Sequence, residues 1–109
     1  MTIEQTDVID FIGKDKSENI VLTISDHLEW DVENEHLYLL QEKLNSYLRF
    51  LESGEVYESY EGSKGKKFII NVSCKYPPNK TSEDFLKKAE NAINEAGFNF
   101  TWSVIDNES

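Results

Sequence analysis

The chain has 109 residues and a formal net charge of −10, and 39% of its residues are hydrophobic and 12% aromatic. This length predicts a single domain over 1–109 with an ordered core of about 6–105, and the apolar content excludes a disordered chain. The acidic balance excludes a nucleic-acid binder or an anionic-membrane binder, because both surfaces repel negative charge.

The cysteine content and the N-terminus indicate the compartment. Cys74 is the only cysteine, so no internal disulfide is possible. The first residues lack the basic and apolar regions of a signal peptide, and no apolar run approaches the length of a membrane span. We therefore expect a protein of the reducing cytoplasm, with no membrane partner.

Two strands are predicted at the start of the chain. β-Branched and aromatic residues over 7–13 indicate the first strand, and alternation over 20–25 indicates the second. The polar stretch 14–19 lies between them and is typical of a hairpin loop, so the two strands should pair.

A long helix is predicted over about 32–53, where leucines recur at spacings of three and four. Asp31 is a suitable N-cap, and Gly54 is well placed to end the helix. The next segment, 55–61, either extends this helix or lies over the core, and the pattern does not decide between the two.

The second half of the chain predicts a strand, a helix and a strand. The third strand covers 67–76 and is stopped by Pro77 and Pro78. Thr81 or Ser82 should cap the second helix, which ends at Gly97. The last strand covers 98–104.

The order ββαβαβ predicts an α/β (α+β) two-layer sandwich, with a mixed four-stranded sheet and two helices on one face. The strand order is not determined by the pattern. One core should contain Phe11, Leu22, Leu40, Leu44, Phe68, Ile70, Phe85, Ile93, Phe100 and Trp102.

Three segments resemble a known family: Thr6-Asp7-Val8-Ile9-Asp10-Phe11-Ile12, Leu22-Thr23-Ile24-Ser25-Asp26-His27-Leu28-Glu29-Trp30, and His36-Leu37 with Leu40-Gln41-Glu42-Lys43-Leu44-Asn45 and Tyr47. The family is a group of small bacterial proteins of unknown function, and the Ser-Asp-His-Leu-Glu-Trp run is the most specific part of the resemblance. It implies a bacterial, cytoplasmic, single-domain protein and implies no activity or catalytic residue.

The junction of the second strand and the first helix is a candidate binding site, formed by Asp26, His27, Glu29, Trp30 and His36. Two imidazoles among carboxylates suit a divalent metal or a small enzyme centre. The histidine spacing matches no known ligand pattern, so we expect no bound metal and no cofactor. The alternative is that the acids cap the helix, the histidines make local hydrogen bonds and Trp30 closes the end of the sheet.

Other chemical motifs are weaker. Ser25, Asp26 and His27 do not form a triad, because neighbours on a strand point to opposite faces. Cys74 alternates with apolar residues and should be a small core side chain. The run 62–67 lacks the spacing of a phosphate loop and precedes a strand, so it is interpreted as a flexible basic turn.

The sheet surface without helices is the second candidate site. We call it the open face. Only Lys75, near the end of the third strand, is charged among its outward positions, although the chain is acidic. Desolvating Ser, Thr and Asn costs less than desolvating Glu or Lys. The alternative is an ordinary solvated face. The predicted interface positions are Ile69, Asn71, Ser73, Asn99, Thr101 and Ser103, with Val21, Thr23, Ser25 and Ile105 on the same face.

These patterns favour a non-catalytic binding or interaction protein, acting on a protein partner or on a second copy. One version is an immunity-type protein whose carboxylates bind a basic partner such as a toxin. The competing hypothesis is a small enzyme or metal-binding domain centred on the Asp26 to His36 region.

Overall fold

The computed structural model describes residues 11–26 and 35–105. They form an α+β fold in which the predicted mixed four-stranded sheet is confirmed. The prediction of two helices is wrong, because a third, short helix follows the first. The elements are β1 (Phe11–Lys14), β2 (Ile20–Asp26), α1 (Glu35–Glu52), α2 (Glu55–Ser59), β3 (Phe68–Cys74), α3 (Lys80–Glu95) and β4 (Asn99–Val104).

The sheet has the order β1-β2-β3-β4. β1 and β2 pair antiparallel, as the predicted hairpin requires, and β2, β3 and β4 run parallel. Asp15 organises the hairpin loop, because its Oδ1 accepts the N–H groups of Ser17 and Asn19, both at 2.9 Å. The predicted positions 7–10 of the first strand lie outside the described residues.

The core lies on one face of the sheet and joins alternate strand residues to all three helices. In β2, for example, Ile20, Leu22 and Ile24 are buried, as the alternation predicts. Of the ten predicted core residues, Phe85 and Trp102 are partly buried against this cluster and seven are fully part of it. These seven are Leu22, Leu40, Leu44, Phe68, Ile70, Ile93 and Phe100.

Phe11 is the exception, since 64% of its surface is exposed. It pairs with Thr23, whereas Ile12 pairs with the buried Leu22. Residues opposite each other in a sheet share a face, so Phe11 lies on the open face and Ile12 faces the core. The prediction that Phe11 belongs to the core is therefore wrong, because the inward-facing positions of β1 are shifted by one residue from those predicted.

Gly54 separates α1 from α2. Its φ of +83° is a left-handed conformation that favours glycine and ends α1. The chain then turns, and α2 buries Val56 in the core. The hydroxyl of Ser63 donates to the carbonyl of Val56 at 3.4 Å. Segment 55–61 thus contains a new short helix over the core rather than an extension of α1.

The caps of the other helices differ from prediction or lie outside the described residues. Asn79 caps α3, and its side chain accepts the N–H of Ser82 at 2.9 Å. The prediction of Thr81 or Ser82 as the cap is therefore wrong, because both residues are already inside the helix. Asp31, the predicted cap of α1, lies outside the described residues.

Candidate functional site

A buried histidine–carboxylate pair lies where β2 ends and α1 begins. Nε2 of His36 lies 2.5 Å from Oδ2 of Asp26. Only 2% of Asp26 and 3% of His36 are exposed. The contact is a short hydrogen bond between an imidazole nitrogen and a carboxylate oxygen in the interior.

The local sequence explains why both polar side chains point inward. Asp26 continues the alternation of buried residues in β2 beyond Ile24. His36 precedes the buried Leu40 by one helical turn, so it lies on the same side of α1. The pair therefore closes the core at the carboxyl ends of the parallel strands, an edge where α/β proteins commonly place ligand sites.

Cys74 is the register partner of Asp26 on the neighbouring strand. Burial of the thiol, reinforced by the nearby Asp26 charge, raises the pKa of Cys74 to about 12. The thiol is therefore protonated at neutral pH, whereas a nucleophile or metal ligand must be a thiolate. This geometry supports the prediction that Cys74 is a core side chain.

Two of the five predicted binding residues, Asp26 and His36, come together. His27, Glu29 and Trp30 lie outside the described residues, so their predicted role stays a prediction. Within 11–26 and 35–105, no group of three or more His, Cys, Asp or Glu side chains is arranged to hold a metal ion.

The open face contains the six predicted interface residues in three cross-strand rows. Thr23, Asn71 and Thr101 form the central row. The hydroxyl of Thr101 donates to Oδ1 of Asn71 at 2.9 Å, and Nδ2 of Asn71 donates to the hydroxyl of Ser73 at 3.5 Å. The other two rows are Val21, Ile69 and Asn99, and Ser25, Ser73 and Ser103.

Charge is distributed unevenly between the sheet and the rest of the fold. None of the open-face residues in the described strands is charged. Among the described residues, every acidic side chain except the buried Asp26 lies in a helix, a turn or the loop between β1 and β2. The sheet therefore presents a neutral surface on a strongly acidic chain.

Lys43 was not predicted as a site residue. It is fully buried in α1, and its Nζ lies 5.9 Å from the centre of the Tyr47 ring. The Tyr47 hydroxyl donates to the carbonyl of Thr23 at 3.2 Å, which ties α1 to β2. Its position in the helix could have predicted this burial, because Lys43 immediately precedes Leu44 and lies one turn beyond Leu40 on the apolar stripe.

A groove of about 310 Å³ lies between α1 and α3. Leu48, Phe85 and Ala89 are among its apolar walls, and Lys88 is its one charged lining residue. No histidine, cysteine or carboxylate is among the residues that line it. The groove therefore supplies no described group for acid–base or nucleophilic chemistry.

In the part of the chain that the structure describes, no helix combines the length and the apolar character needed to cross a membrane.

Comparison with known proteins identifies the family of the chain. No curated protein and no solved structure gives a significant match. The model of a family of unknown function (DUF6572) matches residues 1–106, almost the whole sequence. The chain therefore belongs to this family of unknown function.

Proposed function

We propose that this protein is a non-catalytic interaction protein, and that the open face makes its principal contact with the open face of a second copy. The observation that carries the proposal is the absence of charge from the open-face positions of the four described strands, in a chain with a net charge of −10. A surface that only meets water has no reason to avoid charge, whereas a buried interface does, because unpaired buried charges are costly.

The hydrogen bonds on the open face also favour contact. Thr101, Asn71 and Ser73 already satisfy part of their hydrogen-bonding capacity within the face. Removing such groups from water costs less than removing unpaired polar groups. Phe11 adds exposed aromatic area at the same face, next to Thr23. Aromatic side chains are enriched at the centres of protein interfaces.

Charge distribution favours a second copy over a basic partner. An immunity-type contact needs carboxylates on the binding surface. Apart from the buried Asp26, the described carboxylates of this chain lie in helices, turns and the loop between β1 and β2, and none is on an open-face position of a strand. Two acidic copies that meet through their neutral faces keep these carboxylates in solvent and far apart, which lowers their mutual repulsion.

The competing proposal, a small enzyme or metal-binding domain, would centre on Asp26 and His36. Its support is the short hydrogen bond of this pair at the carboxyl edge of the sheet. The pair is almost fully buried. Such burial leaves little surface for a substrate to contact, which favours a structural role for the pair.

The test compares sedimentation of the wild type with that of Ser73→Glu. Ser73 lies in an inner strand of the open face, so a glutamate there would bury two like charges in the symmetric contact. We expect this substitution to halve the sedimenting mass, while far-ultraviolet circular dichroism stays unchanged because residue 73 faces away from the core.

Asn91→Glu is the matched control, because it adds the same charge at an exposed position of α3. The control should sediment at the wild-type mass. A Ser73→Glu protein that also keeps the wild-type mass would contradict the proposed open-face contact.

A further inference from the structure

We infer that the free edge of β4 is a second self-association site, at which β4 pairs antiparallel with β4 of a second copy. The four-stranded sheets of two chains would then join into one sheet of eight strands. This edge contact uses backbone groups rather than the open face, so either contact can exist without the other.

The backbone of β4 has unused hydrogen-bonding groups on one side. Within the described residues, β4 pairs only with β3, at the end of the sheet order. The N–H of Ile105 donates to the carbonyl of Cys74 at 2.7 Å, so the N–H and C=O of this residue point toward β3. Successive residues of a strand point these groups to opposite sides, so Phe100, Trp102 and Val104 direct theirs outward.

Within the described part of β4 and Ile105, the edge has no charged residue and no proline to discourage pairing. Natural edge strands are commonly blocked by charged side chains, prolines or bulges. The run 99–105 contains neither a charged residue nor a proline. Val104 and Ile105 are 39% and 47% exposed at its end. An unprotected edge rich in β-forming residues is suited to strand addition.

Two-fold symmetry makes this edge complementary to itself. An antiparallel pair centred on Thr101 places Phe100 opposite the second copy's Trp102, and the symmetry repeats this aromatic pair. Both residues direct backbone groups outward, so each pair also exchanges two hydrogen bonds. No charged residue opposes another, which matters for two chains that each carry a net charge of −10.

Val104→Pro tests the edge directly. Proline removes the outward N–H of residue 104, and it is tolerated on an edge strand because the β3 ladder uses the other residues. We expect Val104→Pro to halve the sedimenting mass. Val104→Ala, which keeps the N–H, should sediment as the wild type. Equal masses for Val104→Pro and the wild type would overturn the inference.

The edge and the open face are separable in the same experiment. With both contacts present, the wild type should contain four chains, and Ser73→Glu and Val104→Pro should each leave two. A mass reduced by Ser73→Glu alone overturns the edge contact and retains the open-face contact. A mass reduced by Val104→Pro alone overturns the open-face contact and retains the edge contact. A monomeric wild type overturns both contacts.

Amide hydrogen exchange in the wild type covers the case in which Val104→Pro does not fold. The outward amides of Phe100, Trp102 and Val104 should exchange more slowly in concentrated than in dilute protein. Thr101 and Ser103 are internal controls, because their amides bond to β3 in either state. Equally fast exchange of the outward amides at both concentrations would overturn the inference.

Discussion

The two faces of the sheet are built from the same strands and differ in burial and in polarity. On the core face of β3, Phe68, Ile70, Val72 and Cys74 are all buried. On the open face of the same strand, Ile69 is followed by Asn71 and Ser73, which are only partly covered. One strand therefore separates a surface that holds the fold together from a neutral surface available for contact.

Each face carries residues that depart from its pattern. The core face ends in the polar pair of Asp26 and His36, and the open face carries the aromatic side chain of Phe11. The polar residue of the core is satisfied by a partner, whereas the aromatic residue of the open face remains largely exposed. Substitutions on the two faces should therefore change different quantities, stability on one and assembly on the other.

Breaking the buried pair should have the largest effect on stability. His36→Ala leaves the Asp26 carboxylate buried without its 2.5 Å partner. Removing one member of a buried pair typically lowers the free energy of unfolding by about 3–5 kcal/mol. The double variant Asp26→Ala/His36→Ala should cost less than the sum of the single variants, because each single variant already removes the contact that the two residues share. Urea unfolding measured by tryptophan fluorescence gives these values.

Ser25→Ala is the control for this prediction. It lies next to Asp26 on the opposite face and should change stability by no more than about 0.5 kcal/mol. A loss below about 1 kcal/mol for His36→Ala would show that the pair contributes little to the core.

Truncating one apolar side chain on each side of the sheet should give the next largest difference in the free energy of unfolding. Leu44 is buried in α1, so Leu44→Ala should destabilise the chain by about 2–5 kcal/mol through lost contacts and a cavity. Phe11→Ala removes a larger side chain from an exposed position and should cost less than about 1 kcal/mol in dilute protein. Equal losses in urea unfolding would mean that the assignment of residues to the two faces is wrong.

The smallest effect concerns the thiol of Cys74. Its pKa is raised from 9.0 to about 12, so the folded chain holds this proton more tightly than the unfolded chain. The resulting stabilisation is complete below the unfolded pKa and is lost as pH rises toward the folded value. At pH 8, a thiol reagent should therefore modify native Cys74 only at the rate of unfolding. Rapid stoichiometric modification of folded protein would contradict this assignment.

Periodic patterns in the sequence predicted the sheet well. Alternation in β2, β3 and β4 assigned the core face and the open face, because a strand has a fixed period of two. The phase of β1 was predicted wrongly, since Ile9, Phe11 and Ile12 all suit a core and Phe11 was assigned to it. Only the pairing of Phe11 with Thr23 resolves it.

Features that depend on tertiary contacts were harder to predict from the sequence. The capping role of Asn79 competes with two other good caps within three residues, Thr81 and Ser82, and local pattern does not rank them. The sequence placed Asp26 and His36 in one region but did not predict that they pair. Lysine is rarely fully buried, so its residue type alone would not have predicted the burial of Lys43.

The central claim, that the neutral open face is a contact surface, is tested most directly by the sedimentation equilibrium of the wild-type chain over a range of concentrations. We expect a mass above the 12.6 kDa of one chain that rises with protein concentration. A constant mass of 12.6 kDa at every concentration would contradict it.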